Sequence, residues 1–214
     1  MRIGLDLDGV IADARAETQH RFLKDHGAEE WDRVKDYFHT SKAPGVPEGW
    51  MRAQFDDPTY WLNIKPFQDG WLMANKWFSQ GHDVLIVTAR YAEERHLTEQ
   101  WLEDWDIIVS DVIFSPLGQK HEVASEEGLQ IFVEDNPDEA ATVADHVGAS
   151  FLVDAPYNQC ETDHRVVRVA SLYQVDKVIE RCLMSNSSVK DVASIDTFQI
   201  SLETTPIERT LNLT

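Results

Sequence analysis

"RIGLDLDGVIAD", residues 2–13, is an apolar run that closes on two carboxylates, Asp6 and Asp8, one residue apart. Its composition fits a buried strand, and burying a charge is costly unless the charge is paired or put to use. Gly9 follows at once and allows a tight turn directly after the strand. The two carboxylates therefore stand at the exit of an expected strand, on the same side of the chain.

Four more runs of the same kind lie downstream: "DVLIVTA" (83–89), "IIVSDVIFS" (107–115), "LQIFVED" (129–135) and "ASFLVDA" (149–155). Helical spacing fills the gaps. Phe67, Trp71, Ala74 and Phe78 fall on one face, as do Leu97, Trp101 and Trp105, and then Ala140, Val143, Ala144 and Val147. Strands alternating with helices predict an α/β fold with an open parallel sheet covered on both faces. Ligands of such sheets bind beyond the carboxyl ends of the strands. Asp6, Asp8, Thr88 and Asp135 all occupy such ends.

Two regions break the alternation. About fifty residues between the first two strands mix short helical patterns, Pro/Gly turns and many aromatics, too long for a loop, and read as an inserted helical cap over 15–66. The core is then 1–14 with 67–184. Residues 185–214 form a Ser/Thr-rich tail that opens like a linker, so that a cut after Met184 should leave the core folded. Phe198, Ile200 and Leu202 alternate like one strand face in that tail, where a subunit contact and hence a homo-oligomer stays open.

The net charge of −19 and the absence of any basic block exclude long nucleic acid as a partner, because phosphate contacts from Lys and Arg dominate that affinity. No run approaches the roughly 18 apolar residues of a membrane helix, and no secretory signal is readable. Two cysteines, Cys160 and Cys182, are too few for a disulfide framework, and a reducing cytoplasm is the expected compartment. No histidine pair has zinc-ligand spacing.

The strand-end residues can be assembled into phosphoryl chemistry. Asp6 can attack phosphorus as a nucleophile, and Asp8 can protonate the leaving oxygen and then activate water. Mg²⁺ prefers hard oxygen ligands, for which Asp6, the backbone carbonyl of Asp8 and Asp135 make a set, with Glu134 supporting it from behind. Thr88 in "IVTAR" brings a hydroxyl, and the N–H groups of Ala89 and Arg90, to where phosphate oxygens would sit. Lys120 in "GQKHE" supplies a cation for the transferred group, and Lys65 competes for that role. Arg90 fits either a phosphate ligand or half of a salt bridge. Asn136 and Asp138 fit either support of the metal site or a plain helix start. Trp71, Trp77, Trp101 and Trp105 are expected in the core, as are most aromatics of the insertion, with Phe38 or Trp61 the choice for stacking on a base.

D-x-D-G-V after the first strand, Thr88 after the second, Lys120, and "ED" (134–135) after the fourth resemble, in that order, the haloacid dehalogenase-like phosphohydrolase superfamily over residues 1–184. The resemblance implies a Rossmann-like core, Mg²⁺, an Asp nucleophile with an acid/base Asp two residues later, and a helical cap that admits small substrates. "YWLNIKPFQDG" (60–70), "LVDAPYNQ" (152–159) and "RVASL" (168–172) resemble more narrowly the 5′(3′)-deoxyribonucleotidase family. "TAR" and "ED" depart from that family's pattern. The expectation is a Mg²⁺-dependent phosphomonoesterase for nucleoside monophosphates, working through an aspartyl-phosphate. A phosphatase for another small ester such as a sugar phosphate, and a weakly active binding module, are the alternatives.

Overall fold

The stretch quoted above becomes one of the two central strands of the sheet. A computed structural model describes residues 1–31, 46–193 and 209. Six strands pair throughout in parallel: β1 (Arg2–Leu5), β2 (Asp83–Thr88), β3 (Asp111–Phe114), β4 (Ile131–Glu134), β5 (Ala149–Val153) and β6 (Val166–Val169), in the order β3-β2-β1-β4-β5-β6. The chain steps outward from β1 through β2 to β3, then returns to lay β4 against the other edge of β1. That reversal opens a crevice at the carboxyl ends of β1 and β4, where a sheet of this kind receives its ligand.

Both faces of the sheet are covered, which is why its strands read as continuous apolar runs. On one side Ile3, Leu5, Ile86, Val133 and Phe151 join Trp77 of α5 (Gln68–Ser79) and Trp101 of α6 (Arg95–Asp104) in the main core. On the other, Leu85, Val87, Leu129 and Phe132 meet Ala124 of α7 (Lys120–Glu126) and Val143 of α8 (Pro137–Val143). Trp77 and Trp101 each also satisfy the indole N–H. Trp77 donates to Asp176 Oδ1 at 2.9 Å, in α9 (Leu172–Ser185), and Trp101 donates to the Ile64 carbonyl at 2.7 Å. Truncating either to Ala would cost about 3–5 kcal/mol.

Between β1 and α5 the described residues form four helices: α1 (Ala14–His26), α2 (Ala28–Trp31), α3 (Trp50–Phe55) and α4 (Pro58–Asn63). Phe22, Trp31, Trp50 and Met51 make a small core of their own. Tyr60, Trp61 and Ile64 instead belong to the main core, so the last helix of the insertion packs as part of the sheet's cover. The two strands of chain that lead in and out lie side by side: Asp13 N donates to the Lys65 carbonyl at 2.8 Å, and Phe67 N to the Ile11 carbonyl at 2.7 Å.

Several sequence expectations shift. The run 107–115 yields a strand only over Asp111–Phe114, because Ile107 N closes onto the Leu102 carbonyl and Ile108 N onto Asn75, leaving those residues as the turn after α6. Val147 lies beyond the end of α8. In α5 it is Trp77, not Phe78, that faces the core, since Phe78 remains 37% exposed. Strand β6 has too short an apolar run to stand out. Residues 189–193 are helical rather than a linker, with Val189, Val192 and Ala193 in the main core, so a cut after Met184 would expose it. Phe38 and the Phe198, Ile200 and Leu202 alternation lie outside the described residues.

Candidate active site

Asp6 remains in the ladder one residue past β1, its N–H bonded to the Val133 carbonyl at 2.9 Å, so its side chain is aimed by the sheet itself. The chain then turns sharply: Ile11 N and Ala12 N both donate to the Leu7 carbonyl, and Gly9 N donates to that of Ala12. Gly9 takes φ +91°, where a side chain is strained, and a Cβ there would overlap the Asp135 carboxylate. Only glycine lets the β1 loop lie that close to the end of β4.

Four carboxylates meet two cations in this crevice. Lys120, the first residue of α7, bridges Asp6 Oδ1 at 2.7 Å and Glu134 Oε2 at 2.9 Å while 2% exposed. Arg90, just past β2, grips Asp8 with both prongs of its guanidinium, Nε to Oδ2 at 2.8 Å and Nη2 to Oδ1 at 2.7 Å. Its Nη1 turns to Thr98 Oγ1 at 3.3 Å, and the group lies 4.6 Å over the Trp61 ring. Arg90 is thus half of a salt bridge and is committed to Asp8. Asp135 Oδ2 accepts from the Tyr157 hydroxyl at 2.6 Å, and Asn158 Nδ2 ties the Asp135 and Val153 carbonyls together at 2.8 Å each.

The charges are unbalanced. Burial pushes Asp6 above the ordinary aspartate range against the pull of Lys120, and burial together with Asp6 pushes Glu134 well above the usual range. Asp135 is pushed up to about 7 by burial first and by Asp6 second. Burial alone would lower Lys120, but the charges of Asp6 and Glu134 carry it above the ordinary lysine range. Oxygens of Asp6, Glu134 and Asp135 lie within 4.8 Å of one another. Four carboxylates against two cations leave an excess of two negative charges, which a divalent cation matches, and an all-oxygen set suits Mg²⁺. Glu134 spends one oxygen on Lys120 and the other on Asn136 N at 3.3 Å, whereas Asp6 and Asp135 each have a second oxygen to offer.

The other expected residues separate clearly. Thr88 is buried at the strand end, its hydroxyl accepting from Arg90 N at 3.2 Å, and Ala89 beside it is exposed at the crevice. Lys65 is exposed and reaches none of these groups by any hydrogen bond or ion pair among the described residues, whereas Lys120 pairs with Asp6. Asn136 caps α8 by accepting from Asp138 N at 3.0 Å, and Asp138 is exposed. Trp61 is not open to a base: it is 5% exposed, Phe55 stacks on it at 5.2 Å, and its N–H is spent on the Phe55 carbonyl.

Sequence reasoning passed over Tyr157, Asn158 and Arg15. The first two sit in "DAPYNQ", just beyond β5, where the strand-end rule could have found them. Arg15 in the first turn of α1 lies 5.3 Å from the Trp31 ring and 5.9 Å from that of Tyr157, spanning the insertion and the core. Nothing in its sequence neighbourhood marks it.

Two curated relatives align over most of the chain. A protein of Halalkalibacterium halodurans with a provisional nucleotidase name is 25% identical over 175 residues, covering 78% of this chain and 87% of the relative. A protein of Clostridium acetobutylicum named a nucleotidase is 25% identical over 195 residues, covering 88% and 98%. No family model matches. Among solved structures, a dehalogenase caught with an intermediate superposes with TM-score 0.60 at 13% identity, covering 83% of this chain and 96% of that one. A HAD phosphatase from Thermococcus onnurineus gives 0.52 at 14% identity, covering 83% and 97%. The fold is that of the haloacid dehalogenase-like (HAD) superfamily. In a HAD fold the crevice between β1 and β4 is the strand-order reversal described above, and the Asp6–Asp8 loop lies on it.

Proposed function

We propose that this protein is a Mg²⁺-dependent phosphomonoesterase acting on nucleoside monophosphates. The observation that carries the reading is Asp6: a buried carboxylate fixed by the sheet, held by Lys120 at 2.7 Å, and placed among oxygens suited to a divalent cation. The nucleotidase names of both relatives support the substrate class.

Asp6 and Asp135 would hold Mg²⁺, with the Asp8 carbonyl as a further ligand and Glu134 steadying Lys120 behind them, and the ion would supply charge neutralisation to the phosphate ester. Lys120 keeps Asp6 ionised and oriented so that a carboxylate oxygen can attack phosphorus. A bond forms from Asp6 to phosphorus as the bond to the ester oxygen breaks, and the product is an aspartyl-phosphate with a free alcohol. Asp8 is held as a carboxylate in the fork of Arg90, so it would act once released from that fork: having taken a proton from solvent, it gives that proton to the departing oxygen. It then accepts one from the water that attacks the same phosphorus, releasing phosphate and restoring Asp6. Thr88 and the exposed backbone at Ala89 stand where the phosphoryl oxygens need donors. The insertion supplies the wall for the rest of the ester.

A turnover panel of nucleoside and sugar phosphates with Mg²⁺ tests the reading. Nucleoside monophosphates should show the higher kcat/KM, and a clear preference for a sugar phosphate would overturn the substrate class.

A further inference from the structure

Arg209 stands far down the chain, sixteen positions past Ala193, yet it reaches the loop that carries Asp6 and Asp8. Its Nη2 donates to the Val10 carbonyl at 2.8 Å and its Nη1 to the Gly9 carbonyl at 3.3 Å. Its Nε meets both oxygens of Asp69 at 3.0 and 3.1 Å, and the guanidinium lies 4.0 Å over the Phe67 ring. Gln68 N donates to the Arg209 carbonyl at 2.7 Å, so the backbone is fixed along with the side chain.

The partners explain why an arginine is needed. Asp69, in the first turn of α5, is 1% exposed, and its Oδ2 also accepts from Leu172 N at the start of α9. A buried carboxylate needs a charged partner, and the planar guanidinium reaches the carboxylate and two carbonyls from three separate nitrogens held in fixed geometry. Those carbonyls are turned away from the loop's internal hydrogen bonds, which use the carbonyls of Leu7 and Ala12 instead. The loop and α5 also touch directly: a Cβ on Gly70 would stand 2.8 Å from Ile11 Cα. Arg209 therefore ties together the Asp6–Asp8 loop, the chain leaving the insertion, and the start of α9.

We propose that Arg209 is a positioning residue, a latch from the C-terminal segment that sets the Asp6–Asp8 loop in its reactive geometry. This rests on the phosphoryl-transfer reading above. Misplacing reacting groups by about 1 Å can cost 10²-fold in rate, so loosening this loop acts on kcat. The substrate's own contacts lie elsewhere, so KM stays nearly constant.

The test uses the full chain as wild type, Arg209→Ala and Arg209→Lys. Steady-state kinetics with p-nitrophenyl phosphate and Mg²⁺, thermal melts, and hydrogen–deuterium exchange over residues 7–13 are measured on each. Arg209→Ala should lose about 10- to 100-fold in kcat with KM little changed. Guanidinium ion at non-denaturing concentration should restore part of it, and Arg209→Lys should fall between the two. Wild-type kcat in Arg209→Ala, or a loss that guanidinium leaves untouched, would overturn the proposal. If the wild type hydrolyses no phosphomonoester, the phosphatase reading fails while exchange still decides the latch. Faster exchange at Gly9, Ile11 and Ala12 in Arg209→Ala supports it, and unchanged exchange refutes it.

Discussion

Lys120 in the crevice and Arg21 in the insertion each bridge two carboxylates at nearly the same distances. Lys120 holds Asp6 at 2.7 Å and Glu134 at 2.9 Å, and Arg21 holds Glu17 and Asp57 at 2.7 Å each. The difference is water. The side chains of Lys120, Asp6 and Glu134 are 2%, 8% and 1% exposed, whereas Asp57 is 42% exposed. Deep burial makes each crevice charge depend on the others, while solvent can replace Asp57, and Arg21 and Glu17 are 14% and 11% exposed. Similar ion-pair geometry is sealed from water in one place and open to it at Asp57 in the other.

The largest effect should come from Asp6, the proposed nucleophile. Asp6→Asn should abolish turnover while the protein stays folded, because an amide cannot form the acyl-phosphate; residual activity above the background rate would break the covalent scheme. Asp8→Asn should cost about 10²–10⁴-fold in kcat, the range for general acid/base work.

Next is Lys120→Met. It strands Asp6 and Glu134 as buried carboxylates without their cation, and breaking a buried pair in this way costs about 3–5 kcal/mol. Denaturant unfolding measures it. The loss should shrink at acid pH, where the stranded groups take up protons. A loss that did not change with pH would mean that packing of the lysine stem, not charge, is what the site needs.

The metal-free crevice should also carry a pH signature. Asp135 is raised from 3.8 to about 7 in the folded state. For a raised group the stability contribution is full below the unfolded value and is lost as pH rises through the folded one. In EDTA the melting temperature should therefore fall from about pH 4 to pH 7 on this account. Mg²⁺ competes with those protons, so its stabilisation should be larger at pH 8 than at pH 5. Equal shifts at both values would remove Asp135 from the ligand set.

How far the sequence could foresee this depends on the range of each signal. Five of the six strands are legible because burial on both faces writes a continuous apolar run, whereas the short β6 is not, and Asp6, Asp8, Thr88 and Asp135 are legible because a strand end is a fixed place in such a sheet. Lys120 was legible from the order of motifs. Arg90 was not resolved between two roles, since its pairing with Asp8 bridges 82 positions and no local pattern records it. Trp61 was misplaced for a similar reason: an aromatic in an inserted helix reads alike whether it lines a pocket or joins the main core. The tie from Arg209 to Asp69 spans 140 positions and leaves no mark on either stretch.

The smallest effect sharpens the comparison most. Arg21→Ala removes a cation with as many carboxylate partners as Lys120, along with contacts to Gln54 and Thr59 and a ring contact to Tyr60 at 5.4 Å. Solvent can take over at Asp57, and Glu17 at 11% exposure keeps more contact with water than Glu134 at 1%, so less charge is stranded than at Lys120. The stability loss should be about 1 kcal/mol, and it should shrink further in high salt, which screens exposed pairs and leaves buried ones largely untouched. Turnover should be unchanged, because Arg21 touches none of the crevice groups. Salt titration of unfolding on Arg21→Ala and Lys120→Met together is the measurement. A salt-independent loss of several kcal/mol at Arg21 would show that the insertion, too, is held by charges that water cannot reach, and the distinction between the two networks would fall.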